Sequence, residues 1–307
     1  MKIFRCVAFS SLALTLLAVA AVQMLAQTPV KHGENAALRY WSAFAQMQDV
    51  ALTDAQVEKL NLILEGTAPF VESTYKDLIE RNRKALRTMA RGTKLPYCDW
   101  GIDYQLGPDA PVDYVRKALE LGRLNVLYAL HLGISDRDAA VQALAAGVRF
   151  SHDVANGGTM FSALAAKNLL VAHLRAMAFI VHMTGLSEDD RTTLQDVLAQ
   201  IGPEGLDWRA AVERELRVFR APFPTREGVQ KLDPQAKEAL GRITALYVSA
   251  LSNPAEVTEL EKAIAGAPQP LPKLIPAPSR VVEQKQDLAQ ELVKARAILK
   301  RFASPSR

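Results

Sequence analysis

The chain lacks the short motifs that mark the common enzyme classes. It has no Gly-x-Ser-x-Gly elbow, no His-Glu-x-x-His, no Walker loop, no dinucleotide-binding glycine fingerprint and no Cys-x-x-Cys pair. That removes the common chemistries without excluding an enzyme of another type. Cysteine is scarce: two in 307 residues, Cys6 and Cys98. Cys6 lies in the first segment, so a chain shortened at its start would keep Cys98 alone, and one cysteine makes no internal disulfide. Net charge is small as well. Of the formal +4, Lys2 and Arg5 supply two charges and the first 26 residues hold no acid, so the remainder carries only +2 (4 − 2). Such balance argues against a nucleic-acid partner. Apolar–polar alternation of the strand type is missing beyond a few residues, and after residue 26 no apolar run approaches the roughly 20 residues needed to span a bilayer.

What is present begins with an export signal. Lys2 and Arg5 precede an apolar run from Val7 to Ala21, broken only by Ser10, Ser11 and Thr15, and Ala26 is a possible cleavage point. This is the charge-then-apolar layout of a secretory signal peptide. Met24 stands where a small residue is preferred, which keeps an uncleaved inner-membrane anchor as the alternative. Cys6 precedes the apolar run, so it is no lipid-attachment cysteine. The layout predicts removal of residues 1–26, location in the periplasm or outside the cell, and no membrane span in the mature chain.

Helix punctuation fills the rest. Thr53 with Gln56, and Ser187 with Asp190, have capping-box spacing. Pro69, Pro111, Pro234 and Pro254 each sit where a first helical turn can begin, the last two preceded by the cap formers Asp233 and Asn253. Gly133 and Gly185 follow long apolar-periodic runs as stops. The pattern predicts helices near 34–49, 54–65, 69–91, 111–132, 136–155, 159–184, 188–200, 207–220, 234–251, 254–265 and 280–302. The fold class is therefore all-α, an array of antiparallel helices. Helix 159–184 is the candidate centre, because at 100° per residue its polar arc narrows to Lys167, His182, Arg175 and Asn168. Leu124, Tyr128, Ala140 and Leu144 have tetratricopeptide-like offsets, but helix 159–184 is too long for such a repeat.

The helical body spans 27–265. Five prolines, at 268, 270, 272, 276 and 278, then mark residues 266–279 as an extended linker. The C-terminal segment 280–307 carries an amphipathic helix with a stripe of Val281, Leu288, Leu292, Ala295, Leu299 and Phe302. Two readings follow: the stripe docks back on the body, or it binds a partner protein.

Four segments carry a resemblance: ENAALRYWSAF at 34–44, LPYCDWGIDYQLGPDAP at 95–111, LGRLNVLYALHL at 121–132 and GVRFSHDVANGGTMFSALAAKNLL at 147–170. With them the chain resembles an uncharacterised family of exported, all-helical bacterial proteins. The resemblance implies export and helicity, and no activity, cofactor or catalytic residue.

The most unusual stretch is Tyr97 to Tyr104, where aromatics, two carboxylates and a glycine gather between long helices. Asp99, Trp100, Asp103 and Tyr104 are the candidate ligand-binding residues, since aromatics give contact area and carboxylates give direction. The other reading has Trp100 and Tyr104 filling a gap between helices and the aspartates capping helix ends. No histidine stands near Cys98 to activate it.

His131, His152 and His173 invite a metal site, but on three antiparallel helices His152 lies near one end while His173 sits roughly 20 Å and His131 roughly 30 Å from that end, and one metal needs all ligands within about 2 Å. His173 falls on the apolar arc and is expected as a neutral core histidine. His131 and His182 lie at like ends of two helices and can be neighbours. His152 and Asp153 point about 100° apart and make no catalytic pair. The sequence calls for no cofactor and no catalytic residue. It favours an interaction or scaffold role with a protein partner in the cell envelope. The alternative is an envelope enzyme or small-ligand carrier with its site at residues 97–104.

Overall fold

Asparagine, threonine, serine and aspartate side chains set most helix starts in the computed structural model, which describes residues 34–49, 52–110, 112–225 and 228–301. The helices are α1 (Ala36–Phe44), α2 (Asp54–Leu64), α3 (Glu72–Gly92), α4 (Tyr114–Ser135), α5 (Arg137–Ala155), α6 (Met160–Thr184), α7 (Glu188–Gln200), α8 (Trp208–Val218), α9 (Pro234–Ser252), α10 (Val257–Ala265), α11 (Leu271–Leu274) and α12 (Pro278–Arg301). Short 3-10 turns cover Tyr104–Asp109 and Pro254–Glu256. The expected capping boxes form at Thr53–Gln56 and Ser187–Asp190, and a third joins Thr159 to Ser162. Asp136 and Asp233 accept from Ala139 N and Ala236 N at 3.0 and 2.7 Å. Each satisfies a backbone N–H that the helix leaves without a partner.

The fold is all-α. Among the described residues, β structure amounts to an isolated bridge between Asn35 and Tyr97 and a two-stranded antiparallel hairpin, Phe223–Thr225 with Gly228–Gln230. Helices α4, α5 and α6 run alternately up, down and up, as the Tyr114 hydroxyl at the start of α4 shows by donating to Val154 O at the end of α5 over 2.9 Å. Helix α6 is the centre: it packs on α4, α5, α8 and α12. It is also, among the described residues, the one helix long and apolar enough to cross a membrane, with 67% of its most apolar window buried by the body.

Several local expectations differ from the structure. Gly133 does not stop α4, which continues to Ser135. A Cβ at Gly133 would lie 3.0 Å from Ile180 Cγ1, so the glycine permits close packing on α6. Pro69 does not open α3. The chain is still closing the α2 turn there, with Thr67 N and Ala68 N donating to Leu62 O, and the helix begins at Glu72. Pro111 lies outside the described residues. The third difference is the 266–279 segment, which is no extended connector. Leu271 is fully buried in the turn α11, Ile275 is buried, and Tyr247 donates to Pro276 O over 3.1 Å. The prolines fall where no helical N–H is required, and two apolar anchors hold the segment to the body. Finally, α12 starts at Pro278 rather than residue 280.

Helix α12 docks on the same chain. Val281, Leu288, Leu292, Ala295 and Leu299 are all buried, together with Val282; Phe302 lies outside the described residues. The stripe is therefore filled and is not a free surface for a partner. Polar residues complete the seam. Lys285 Nζ donates to Leu251 O at 2.8 Å and Arg296 to Leu198 O at 3.0 Å, each a cation at the carbonyl end of another helix. Gln284 and Glu291 are half-buried: Lys167 donates to Gln284 Oε1 at 2.8 Å, and Arg175 lies 3.7 Å from Glu291. The polar arc of α6 is thus where α12 lies.

Candidate functional site

The Tyr97–Tyr104 loop is tied down from its first residue. Asn35, the N-cap of α1, accepts from Ala37 N and Asp99 N through Oδ1, at 3.0 and 2.9 Å, while its Nδ2 donates to Asp99 O at 2.8 Å. One amide side chain thus caps a helix and docks a loop 64 positions away. Trp100 follows into the interior. Only 6% of it is exposed, its Nε1 donates to Asp153 O at 2.8 Å, and its ring stacks on Tyr114 with centroids 3.9 Å apart. Phe44, Tyr40 and Trp41 surround the other sides. Trp100 is accordingly a plug between α1, α4 and α5.

The two aspartates are exposed and cap turns: Asp99 Oδ1 accepts from Gly101 N and Asp103 Oδ1 from Gln105 N, both at 2.9 Å. Tyr104 is half-buried, and its hydroxyl donates to Gly157 O. All four candidate residues thus have structural partners. They nonetheless border open space. Asp99, Trp100 and Tyr104 line a cleft of about 450 Å³ with Cys98, Ile102, Asn156 and Arg214. Asp103 and Tyr104 line a neighbouring cleft of about 390 Å³ with Arg214 and Arg217.

Asn156, Asp153 and Arg214 were not legible as partners of this loop, because they come from the end of α5 and from α8. The Gly157–Gly158 pair was the available signal. A Cβ at Gly157 would lie 1.7 Å from the Tyr114 hydroxyl. Gly158 has φ +70°, and a Cβ there would meet Arg214 Nη1 at 2.4 Å and the Tyr104 hydroxyl at 3.0 Å. Two glycines in sequence let three long side chains close over the α5–α6 turn.

Electrostatics beneath the cleft favour neutral forms. Burial, the charges of Asp153 and Asp99 raise the Cys98 thiol well above its ordinary value, so it is no thiolate nucleophile. Asp153 accepts from the Tyr40 hydroxyl at 2.5 Å, and burial raises its carboxyl to about 6 against the opposing pull of that hydrogen bond and of Arg149. Arg214, Asn156 and Asp99 offer donors and an acceptor to a bound molecule, without an activated nucleophile among them.

The histidines have positions of their own. His173 is fully buried. Its Nδ1 donates to Leu169 O at 2.7 Å, and Nε2 accepts from Asn125 Nδ2 at 3.1 Å. That fixes the neutral tautomer, and burial lowers the imidazole to about 4. It is the core histidine expected. His131 Nδ1 lies 3.1 Å from Glu72 Oε1, not aligned as a hydrogen bond. His182 lines a different cavity, of about 370 Å³, between α2, α4 and α6, where Ile63, Phe70, Leu130, Ala176 and Phe179 supply an apolar wall. Burial lowers the pKa of His152.

No protein-family model, no curated protein and no solved structure matches the chain.

Proposed function

We propose that the protein is exported and acts in the cell envelope as an interaction protein, taking the amphipathic helix of a partner protein on the shared end of α4 and α6. The observation that carries this is exposed apolar surface beside an apolar cavity. Ile134, Phe179 and Met183 are 62%, 44% and 69% exposed. Phe179 lines the cavity with Leu130. Ile134 and Met183 sit one helical turn beyond those two residues, so all face the same end. Large apolar side chains gathered in this way beside a groove mark interaction surfaces, and a row at i and i+4 beside a groove suits a helix. Export rests on the basic start and apolar run of residues 1–26, which lie outside the described residues.

The test places a photo-crosslinking amino acid at Phe179, at Met183 and, as control, at Val293, which is 63% exposed on α12. Discrete protein adducts from the first two positions and not from Val293 support the reading. No adducts, or the same adducts from all three, overturn it. Mass spectrometry of exported material tests the signal: a chain beginning after residue 26 supports cleavage, and an intact, membrane-bound chain supports the anchor.

A second reading, a small-ligand carrier, rests on the cleft where Asp99, Asn156 and Arg214 converge beside Tyr104. Substitution Arg214→Ala would then abolish binding of a co-purifying small molecule while leaving the helical content unchanged. A protein that carries no small molecule from its native compartment would count against it.

A further inference from the structure

Helices α3, α4 and α5 border a half-open cavity that neither reading uses, of about 370 Å³. Its origin is visible in the sequence once the helices are placed. Ala139, Ala143 and Ala146 recur at three- and four-residue steps along one side of α5 and leave a trough there. Opposite, Arg87 on α3, Lys94 in the turn that follows it and Arg149 on α5 line the same space. Asn125 and Tyr128 of α4 also line it.

The charge around this space is one-sided. No aspartate or glutamate lines it, and Arg87, Lys94 and Arg149 make no salt bridge to a described residue. Arg149 Nε donates to Gln200 Oε1 at 3.1 Å, and its charge also acts on the carboxyl of Asp153. The charges gather at one end. Gly92, at the end of α3, is packed against the Tyr40 ring, and Asp153, near the end of α5, accepts from the Tyr40 hydroxyl, so both helices finish at the same place. Lys94 and Arg149 lie toward that end and Ala139 lies away from it. The cavity therefore has a cationic mouth and an apolar length. Asn125, 2% exposed, spends its amide hydrogens on Ala143 O at 2.9 Å and on His173 Nε2 at 3.1 Å, so what it can offer the cavity is its carbonyl oxygen as a fixed acceptor.

We propose that the α3–α4–α5 cavity binds a small organic oxyanion, a carboxylate or phosphate ester borne on an apolar body. Guanidinium groups match such oxyanions in two-point geometry, and cations without a salt bridge to a described residue need not first break one to do so. The alanine trough takes the apolar portion, in a space of the size that holds small ligands.

Isothermal titration calorimetry on the whole mature protein tests this with four probes: benzoate, phenyl phosphate, benzyl alcohol and inorganic phosphate. Binding of benzoate or phenyl phosphate, with benzyl alcohol and inorganic phosphate bound at least tenfold more weakly, is expected, and the tighter of the two anions identifies the head group. The double variant Arg87→Gln, Lys94→Gln removes two exposed cations without disturbing buried packing. It should weaken the anion about tenfold or more, the loss expected for charge-assisted hydrogen bonds, with an unchanged melting temperature. Met183→Asp, at the α4–α6 end, should leave anion binding intact, which separates this site from the partner surface. Absence of binding by both organic anions overturns the proposal. So does equal binding of benzyl alcohol or inorganic phosphate, or undiminished affinity in the double variant.

Discussion

Asp153 and His173 make opposite contributions to stability across the same pH range, and substituting either should uncover the other. Burial raises the Asp153 carboxyl from 3.8 to about 6. The folded state then holds this proton more tightly than the unfolded chain, so the group favours folding in acid and that advantage is lost as pH rises through about 6. The difference of roughly 2 pH units is worth about 3 kcal/mol at most. Burial lowers His173 from 6.5 to about 4. Here the unfolded chain takes the proton first, so the group's contribution is intact above 6.5 and is lost as pH falls toward 4. That shift too is worth about 3 kcal/mol. Between pH 4 and 7 the two slopes largely offset in the native protein. Asp153→Asn keeps an acceptor for the Tyr40 hydroxyl and removes one slope. Relative to the native chain, it should therefore lose about 2 kcal/mol more stability on acidification from pH 7 to 4. His173→Gln should do the reverse and gain a similar amount relative to the native chain over the same interval. Urea unfolding at half-unit pH steps measures each slope, and comparison of slopes cancels the constant cost of the substitution itself. Parallel stability curves for all three proteins would refute the assignment of the buried charges.

Three further outcomes follow from packing and burial. Gly147→Ala would put a methyl 2.1 Å from His173 Nε2 and 2.5 Å from Asn125 Nδ2, so it should destabilise by roughly 3 kcal/mol or more, read as a lower urea midpoint. Truncation after Gly266 removes the buried Val281, Leu288, Leu292 and Leu299 side chains, whose burial contributes roughly 6–12 kcal/mol before entropy is subtracted; scanning calorimetry should show a large fall in melting temperature, and an unchanged one would mean that α12 does not serve its own fold. Cys98 should resist thiol reagents at pH 8 until denaturant is added, because burial and neighbouring carboxylates disfavour its thiolate.

Much of the helical order was written in local chemistry. Asp233 followed by Pro234, the Thr53–Gln56 and Ser187–Asp190 boxes, and Gly185 at φ +66° each act within a few residues, so their spacing alone placed helix ends. The periodic stripe of α12 likewise announced a buried face, and the apolar arc around His173 announced a core position. Tertiary contact decided the rest. Gly133 has the composition of a stop but serves the approach of Ile180, a neighbour 47 positions away (180 − 133) that no local pattern reveals. The prolines of 266–279 read as an extended connector until Leu271 and Ile275 found a body to bury against. At the candidate site the sequence marked Asp99, Trp100, Asp103 and Tyr104 by composition. It could not say that Trp100 would be spent on Tyr114 and Asp153, nor that Asn156 and Arg214 would meet the loop across Gly158. Helix propensity and capping are properties of a few consecutive residues; a cleft is a property of surfaces that only the packed chain brings together.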